Sequence, residues 1–451
     1  MQQMAKFSQW MDDHERHIID FLSEYISYPS IRGNEKEVQE QFLLPFLSEK
    51  MVWDRVETVC LDPGKARPNL NASWFGTGEG RSLMLNGHSD VVVVPSEQRV
   101  KWETDPWKSA VIDGRVYGRG AADMKGPNTA VIWAVKALMD LNIRLEGDLL
   151  LGLVIGEETS EQQLGVIPST EKFLKDRGSP TDFCLNVEPT GLEIHTASTG
   201  NFDFSVRISG KEVHTSMKGL VDYPQRYGLP SGAEVGIDAC QVLVEVLHRL
   251  KLLEHRWNMT YSHPVVGGGG WPVPLDQQGT GNTALACTVV RAGSYIGSLA
   301  GNASIEGQIH YPPNANPETL RQEFSEVVKG VLLSFAGLED DSIQIEFCRR
   351  WDWKPFETPR DHEACQTIAA AMENVGIRPV FSGMKSVVDN TYIQQFGIPT
   401  ISCGPGRLAD GTHGPNEHIA IESILKGIRL YAEFIIEWCG VSKETKSRQV
   451  L

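Results

Sequence analysis

The chain has 451 residues, is 41% hydrophobic and 22% charged, and carries a formal charge of −16. That length allows two domains with separate cores, and the acidic balance repels phosphate backbones, which excludes nucleic acid as a partner. No apolar run approaches the ~18 residues of a membrane span, the first thirty residues lack a signal-peptide pattern, and eight scattered cysteines without a C-x-x-C pair suit free thiols in a reducing compartment, so the expected location is cytoplasmic.

Along the chain, residues 6–27 and 34–50 space their apolar side chains at helical intervals. Short apolar runs follow that suit buried strands: SLMLNGH (82–88), DLLLGLVIG (148–156) and DFCLNVE (182–188), with helix-like segments 127–141 and 169–177 between them. Alternation of this kind predicts an α/β fold, a mixed and mostly parallel sheet with helices on both faces, whose sites lie at the carboxyl ends of the strands. From about residue 200 the texture changes. NFDFSVRISG, ALACTVVRAG and SIEGQIHY alternate like half-exposed strands, and helices are expected at 233–253 and 317–334. This block predicts an inserted α+β domain with a small antiparallel sheet and two helices, so the expected division is 1–199, 200–350 and 351–451. The third segment returns to α/β with helix 361–375, strand IPTISCG and helix 421–438. The Gly/Pro-rich stretch 263–282 is expected to be a surface loop, and the Asn-x-Ser/Thr triplets at Asn71, Asn258 and Asn302 to be chance matches.

Five segments carry chemistry. LNGHSDVV places His88 and Asp90 at a strand end, where a carboxylate or carbonyl could hold the second nitrogen of a metal-bound imidazole. GRGAADMKG puts Asp123 in a Gly-rich turn before a helix, for which a helix cap is the ordinary account. In LLLGLVIGEETS, the adjacent Glu157 and Glu158 follow a wholly apolar strand, where charge is costly unless paired or metal-bound, and adjacency permits one on metal and one for proton transfer. Glu188 closes the run LNVE, and His413 lies in GPGRLADGTHGPNEH. Each alone has a structural explanation. Together they supply imidazoles and carboxylates suited to a pair of zinc-like ions. No G-x-S-x-G elbow, Walker loop or H-E-x-x-H is present, and GRG lacks dinucleotide spacing.

With these motifs in this order (NGHSD, GRGAADMKG, GEE, EPT, GKEVHTS, GPG…HGPNE), the chain resembles nearly end to end the dimetal amidohydrolases that include acetylornithine deacetylase, succinyl-diaminopimelate desuccinylase, aminoacylase and carboxypeptidase G. The resemblance implies that His88 and Glu188 bind one metal ion, Glu158 and His413 the other, and that Asp123 bridges them across a cis Asp123–Met124 peptide. It implies two divalent ions, zinc with cobalt or manganese as alternatives, and a Glu157 general base acting on a water that attacks an amide carbonyl. Asp90 accompanies the catalytic set. His214 of the inserted domain is expected to stabilise the oxyanion in the partner subunit's site, which implies a homodimer formed through a 200–350 lid, and Asn302 to contact substrate.

Two arginines common in relatives are His310 and Asn390 here, next to Asp389, which leaves Arg291 and Arg407 as candidate substitutes for binding substrate. His418 is expected to be no ligand. The expected activity is hydrolysis of a C–N amide bond in a small molecule, namely deacylation of an N-acyl amino acid or related amide. A dipeptidase or carboxypeptidase, an N-carbamoyl amide hydrolase, and an inactive binding protein on the same fold are the alternatives.

Overall fold

The structure is a computed structural model that describes residues 2–61, 67–223, 230–261, 263–266 and 283–442. Of the expected surface loop 263–282, residues 267–282 lie outside the described residues. The chain divides into two compact units, one made of residues 1–196, 357–382 and 388–451 and the other of 197–356 and 383–387.

The first unit is built on a sheet whose strands run, in spatial order, Arg55–Val59, Asn69–Trp74, Leu149–Val154, Leu83–His88, Phe183–Asn186, Thr400–Ser402, Ile194–Ser198 and Phe381–Met384. The four central strands, from Leu149–Val154 to Thr400–Ser402, are parallel; Asn69–Trp74 and Ile194–Ser198 join them antiparallel on either side. All four are buried at every position, which explains the largely apolar sequences of the three longer ones. Helices cover both faces. On strand Phe183–Asn186, Phe183 meets Phe434 and Trp438 of helix Ile421–Cys439, whereas the next residue, Cys184, joins Phe173 of helix Val166–Arg177 in a separate apolar cluster. That is the strand period of two expressed as two layers. Helices Gln2–Ile26 and Gly126–Asp140 pack together on the side of Ile421–Cys439.

The second unit is a four-stranded antiparallel sheet in the order Ala284–Ala292, Asn302–Tyr311, Gly200–Ser209, Ile343–Trp353. Alternate residues Phe202, Phe204, Val206 and Ile208 point into a core shared with helices Ala239–Thr260 and Pro317–Lys329. The first of these helices begins six residues later than the sequence pattern suggests. Asp238 caps it by accepting from the Cys240 N–H. The second starts on Pro317 behind the Asn316 cap. A small third sheet of three-residue strands, His418–Ala420, Arg115–Tyr117 and Ala110–Ile112, was not foreseen; such strands are too short to show a period.

All eight cysteines are free, four of them buried. Among the described residues no helix is long and apolar enough to cross a membrane.

Candidate metal centre

His88 is the last residue of its strand, Glu157 and Glu158 follow Leu149–Val154, Glu188 follows Phe183–Asn186, and His413 lies beyond Thr400–Ser402. All therefore stand at the carboxyl ends of the parallel strands. Asp123 arrives from the side, in the turn Ala121–Lys125 entered through Gly120 at φ +82, where Asp123 and Met124 depart from helical backbone angles and the peptide bond between them is cis.

Two groups of possible ligand atoms form there. Donor atoms of His88, Asp123 and Glu188 lie within 4.8 Å of one another, and those of Asp123, Glu158 and His413 likewise, so Asp123 belongs to both. His88 Nε2 is 3.1 Å from Asp123 Oδ1, and His413 Nε2 is 2.9 Å from Glu158 Oε2 and 3.6 Å from Asp123 Oδ2. The first group is buried. In the second, the His413 side chain is 54% exposed.

Asp90 differs in detail from expectation. The His88 Nδ1 partner is the backbone carbonyl of Asp90 at 3.0 Å, while the carboxylate is 3.7 Å away and instead accepts the Glu158 N–H at 3.2 Å. The second imidazole nitrogen is thus held by the main chain, and the carboxylate ties down the neighbouring loop.

So many carboxyl groups in a buried space shift one another. Burial, opposed by His88 and reinforced by Glu188, Asp389 and Glu158, pushes Glu157 well above the ordinary glutamate value. Burial likewise raises Glu188 to about 8, Asp90 to about 7 and Asp389 to about 6. The hydrogen bond to Glu158 raises His413 to about 8. His88 is raised despite burial by its bond to Asp123 and by the charges of Glu157, Asp123 and Glu188. A protein without cations must hold protons here to limit repulsion. Divalent ions are the other way to neutralise the cluster. The donor set of carboxylate oxygens and imidazole nitrogens suits them, and Glu158 Oε1, buried with no protein hydrogen-bond partner, leaves a lone pair for one.

The other candidates divide. Asp389 is buried in the same cluster, with Oδ2 3.5 Å from Asn86 Nδ2. Asn390 faces the interior, bonding Asn186, Thr400 and Ser402. Arg407 is exposed in the loop that leads to His413, its backbone N–H bonded to Asp410, and His418 stacks on Tyr117 in the three-stranded sheet, outside both ligand groups.

His214, Arg291, Asn302 and His310 belong to the second unit. There the exposed His214 bonds Ser216 and Arg291 pairs with Glu306 across adjacent strands. Asn302 opens its strand, exposed, and His310 contacts Asn201 in a half-buried position. Residues missed in the sequence are Gln98, Arg119 and Glu417, which bond the backbone around Asp123 and His413. Glu417 closes the HGPNE motif, but the motif by itself gives that carboxylate no partner.

The sequence profile of peptidase family M20/M25/M40 matches residues 84–437. An N-formyl-4-amino-5-aminomethyl-2-methylpyrimidine deformylase of Bacillus subtilis is 26% identical, over 98% of this chain and 99% of that protein. A succinyl-diaminopimelate desuccinylase of Bordetella avium is 25% identical over 90% and 94%. Among solved structures, the aminopeptidase PepT from Bacillus cereus superposes with a TM-score of 0.70 at 17% identity, covering 94% of this chain and 98% of that one.

Proposed function

The chain belongs to peptidase family M20/M25/M40 and is a metal-dependent amidohydrolase, and from that premise we propose that it is a dizinc deacylase that removes a small acyl group from an amine. The observation that carries this is the sharing of Asp123 between two ligand groups with Glu157 beside them. His88 and Glu188 would hold one ion, Glu158 and His413 the other, and Asp123 both. Bound there, a pair of divalent cations would supply the means to acidify a water and to draw charge from an amide carbonyl.

The rest falls to the protein. Glu157 accepts the proton of the attacking water and delivers it to the nitrogen as the C–N bond breaks, releasing a carboxylate and a free amine. The main-chain bond from Asp90 to His88 Nδ1 fixes the imidazole with Nε2 toward the ligand group.

Formyl removal is the favoured form of the reaction, because a relative similar along 98% of the chain is named a deformylase. Purified protein loaded with zinc or cobalt should hydrolyse formyl amides of aminomethyl heterocycles in a panel that includes acetyl, succinyl, carbamoyl and dipeptidyl substrates. Preference for a succinyl or peptidyl substrate would replace the formyl assignment, and no hydrolysis of any member would sink the deacylase. Two further features complete the proposal: a homodimer through the second unit, and service by His214 to the other copy's site. Mixed chains carrying His214→Ala and Glu157→Gln should then regain activity that neither has alone. Absence of complementation removes His214 from catalysis in trans.

A further inference from the structure

Three side chains outside both ligand groups hold the backbone that carries the ligands. Glu417 Oε1 accepts the N–H groups of Ala122 at 3.0 Å and Asp123 at 3.1 Å. Its other oxygen accepts from Arg119 Nη1 at 2.5 Å, and both residues are 1% exposed. Arg119 Nη2 donates to Gln98 Oε1 at 2.8 Å and to the Gly414 carbonyl at 3.1 Å. Gln98 Nε2 donates to the His413 carbonyl at 2.7 Å.

A continuous chain of hydrogen bonds thus runs from the Asp123 main chain through Glu417, Arg119 and Gln98 to the His413 main chain. It joins segments that come together only in the fold. The His413 end needs such support. His413 and Asn416 adopt φ +60 and +59, the left-handed region that side chains seldom enter, and the His413 imidazole is too exposed for packing to orient it.

We propose that Glu417, Arg119 and Gln98 are positioning residues that set the affinities of the two metal sites separately. Glu417 bonds the Asp123 main chain directly, and both sites use Asp123, whereas the one ligand that Gln98 bonds directly is His413, which one site uses, its tie to Asp123 being relayed through Arg119, which keeps its own bonds to Glu417 and Gly414. The inference rests on the assignment of those residues as ligands. Groups that hold a ligand in place rather than binding the ion commonly change metal affinity 10–100-fold when removed. The pattern of loss is therefore specific: one site for Gln98, both for Glu417. A role in general stability would show no such split.

The test is calorimetric and spectroscopic titration of Co²⁺ into the chelator-treated full-length chain. Wild type should bind two equivalents. Gln98→Ala, at a half-buried position that tolerates truncation, should weaken one equivalent about tenfold or more and leave the other unchanged. Glu417→Gln should weaken both; should that variant not fold because Arg119 loses its buried partner, Gln98→Ala alone decides. Equal weakening of both equivalents by Gln98→Ala, or none, overturns the proposal. Wild type that takes up no cobalt overturns the ligand assignment itself, an outcome distinct from a wild type that binds two and a variant that fails to separate them.

Discussion

The first unit adds to its apolar core something that the second lacks among the described residues, a buried cluster of carboxyl groups. The second packs Phe202, Phe204, Phe324, Leu320 and Trp257 into an apolar core and leaves the candidate functional groups His214, Arg291 and Asn302 outside, the first two with local side-chain partners. The first, at the carboxyl ends of its strands, buries Asp90, Asp123, Glu188 and Asp389 at 8% exposure or less. An apolar core stabilises by itself. A carboxylate cluster stabilises only when something positive shares it. The stability of the second unit should therefore not depend on metal, whereas that of the first should rise when metal binds.

The sharpest break between them is chemical. Glu157→Gln should cut turnover about 10³-fold while bound metal and melting temperature stay as in wild type; normal turnover, measured by steady-state kinetics, would take Glu157 out of the mechanism. Next comes packing: Phe324→Ala in the second unit should cost about 3–5 kcal/mol of unfolding free energy without changing metal content. Loss of metal in that variant would show that the two interiors are not independent.

Third is the metal-free protein. Its Glu188 and His413 are raised to about 8, Asp90 to about 7 and Asp389 to about 6. Groups raised above their unfolded values favour folding at low pH and lose that favour as pH climbs through the folded value. After chelation the melting temperature should fall as pH rises from about 5 to 8, and zinc should abolish the slope. A flat profile without metal would contradict the shared-proton cluster. The smallest effect belongs to the surface: Arg291→Ala, which removes the exposed pair with Glu306, should change stability by no more than about 0.5 kcal/mol.

The same contrast explains what could be read in the sequence. Acidic residues ending apolar runs, as in GLVIGEE and FCLNVE, are conspicuous because burial and charge conflict, and the parallel sheet shows itself in unbroken apolar strands. The helix start at Ala239 was misplaced because apolar spacing continues upstream of the capping Asp238. Glu417, Arg119 and Gln98 were invisible for a different reason. Their partners are mostly main-chain atoms, which every residue has, so no pairing of residue types betrays them. Asn390 shows the converse: the resemblance leads one to look for an arginine there, yet the amide of this asparagine is used up inside the fold.

The first unit is interrupted by the second, with His88, Asp123, Glu158 and Glu188 before the insertion and His413 after it. During synthesis the ribosome therefore delivers four candidate ligands, then an entire independent domain, and only then the fifth. Domains generally fold as units while the chain emerges. A chain that ends at the insertion lacks, together with His413, the central strand Thr400–Ser402 and the covering helix Ile421–Cys439, so premature termination should leave both the sheet and the two-ion site of the first unit unfinished.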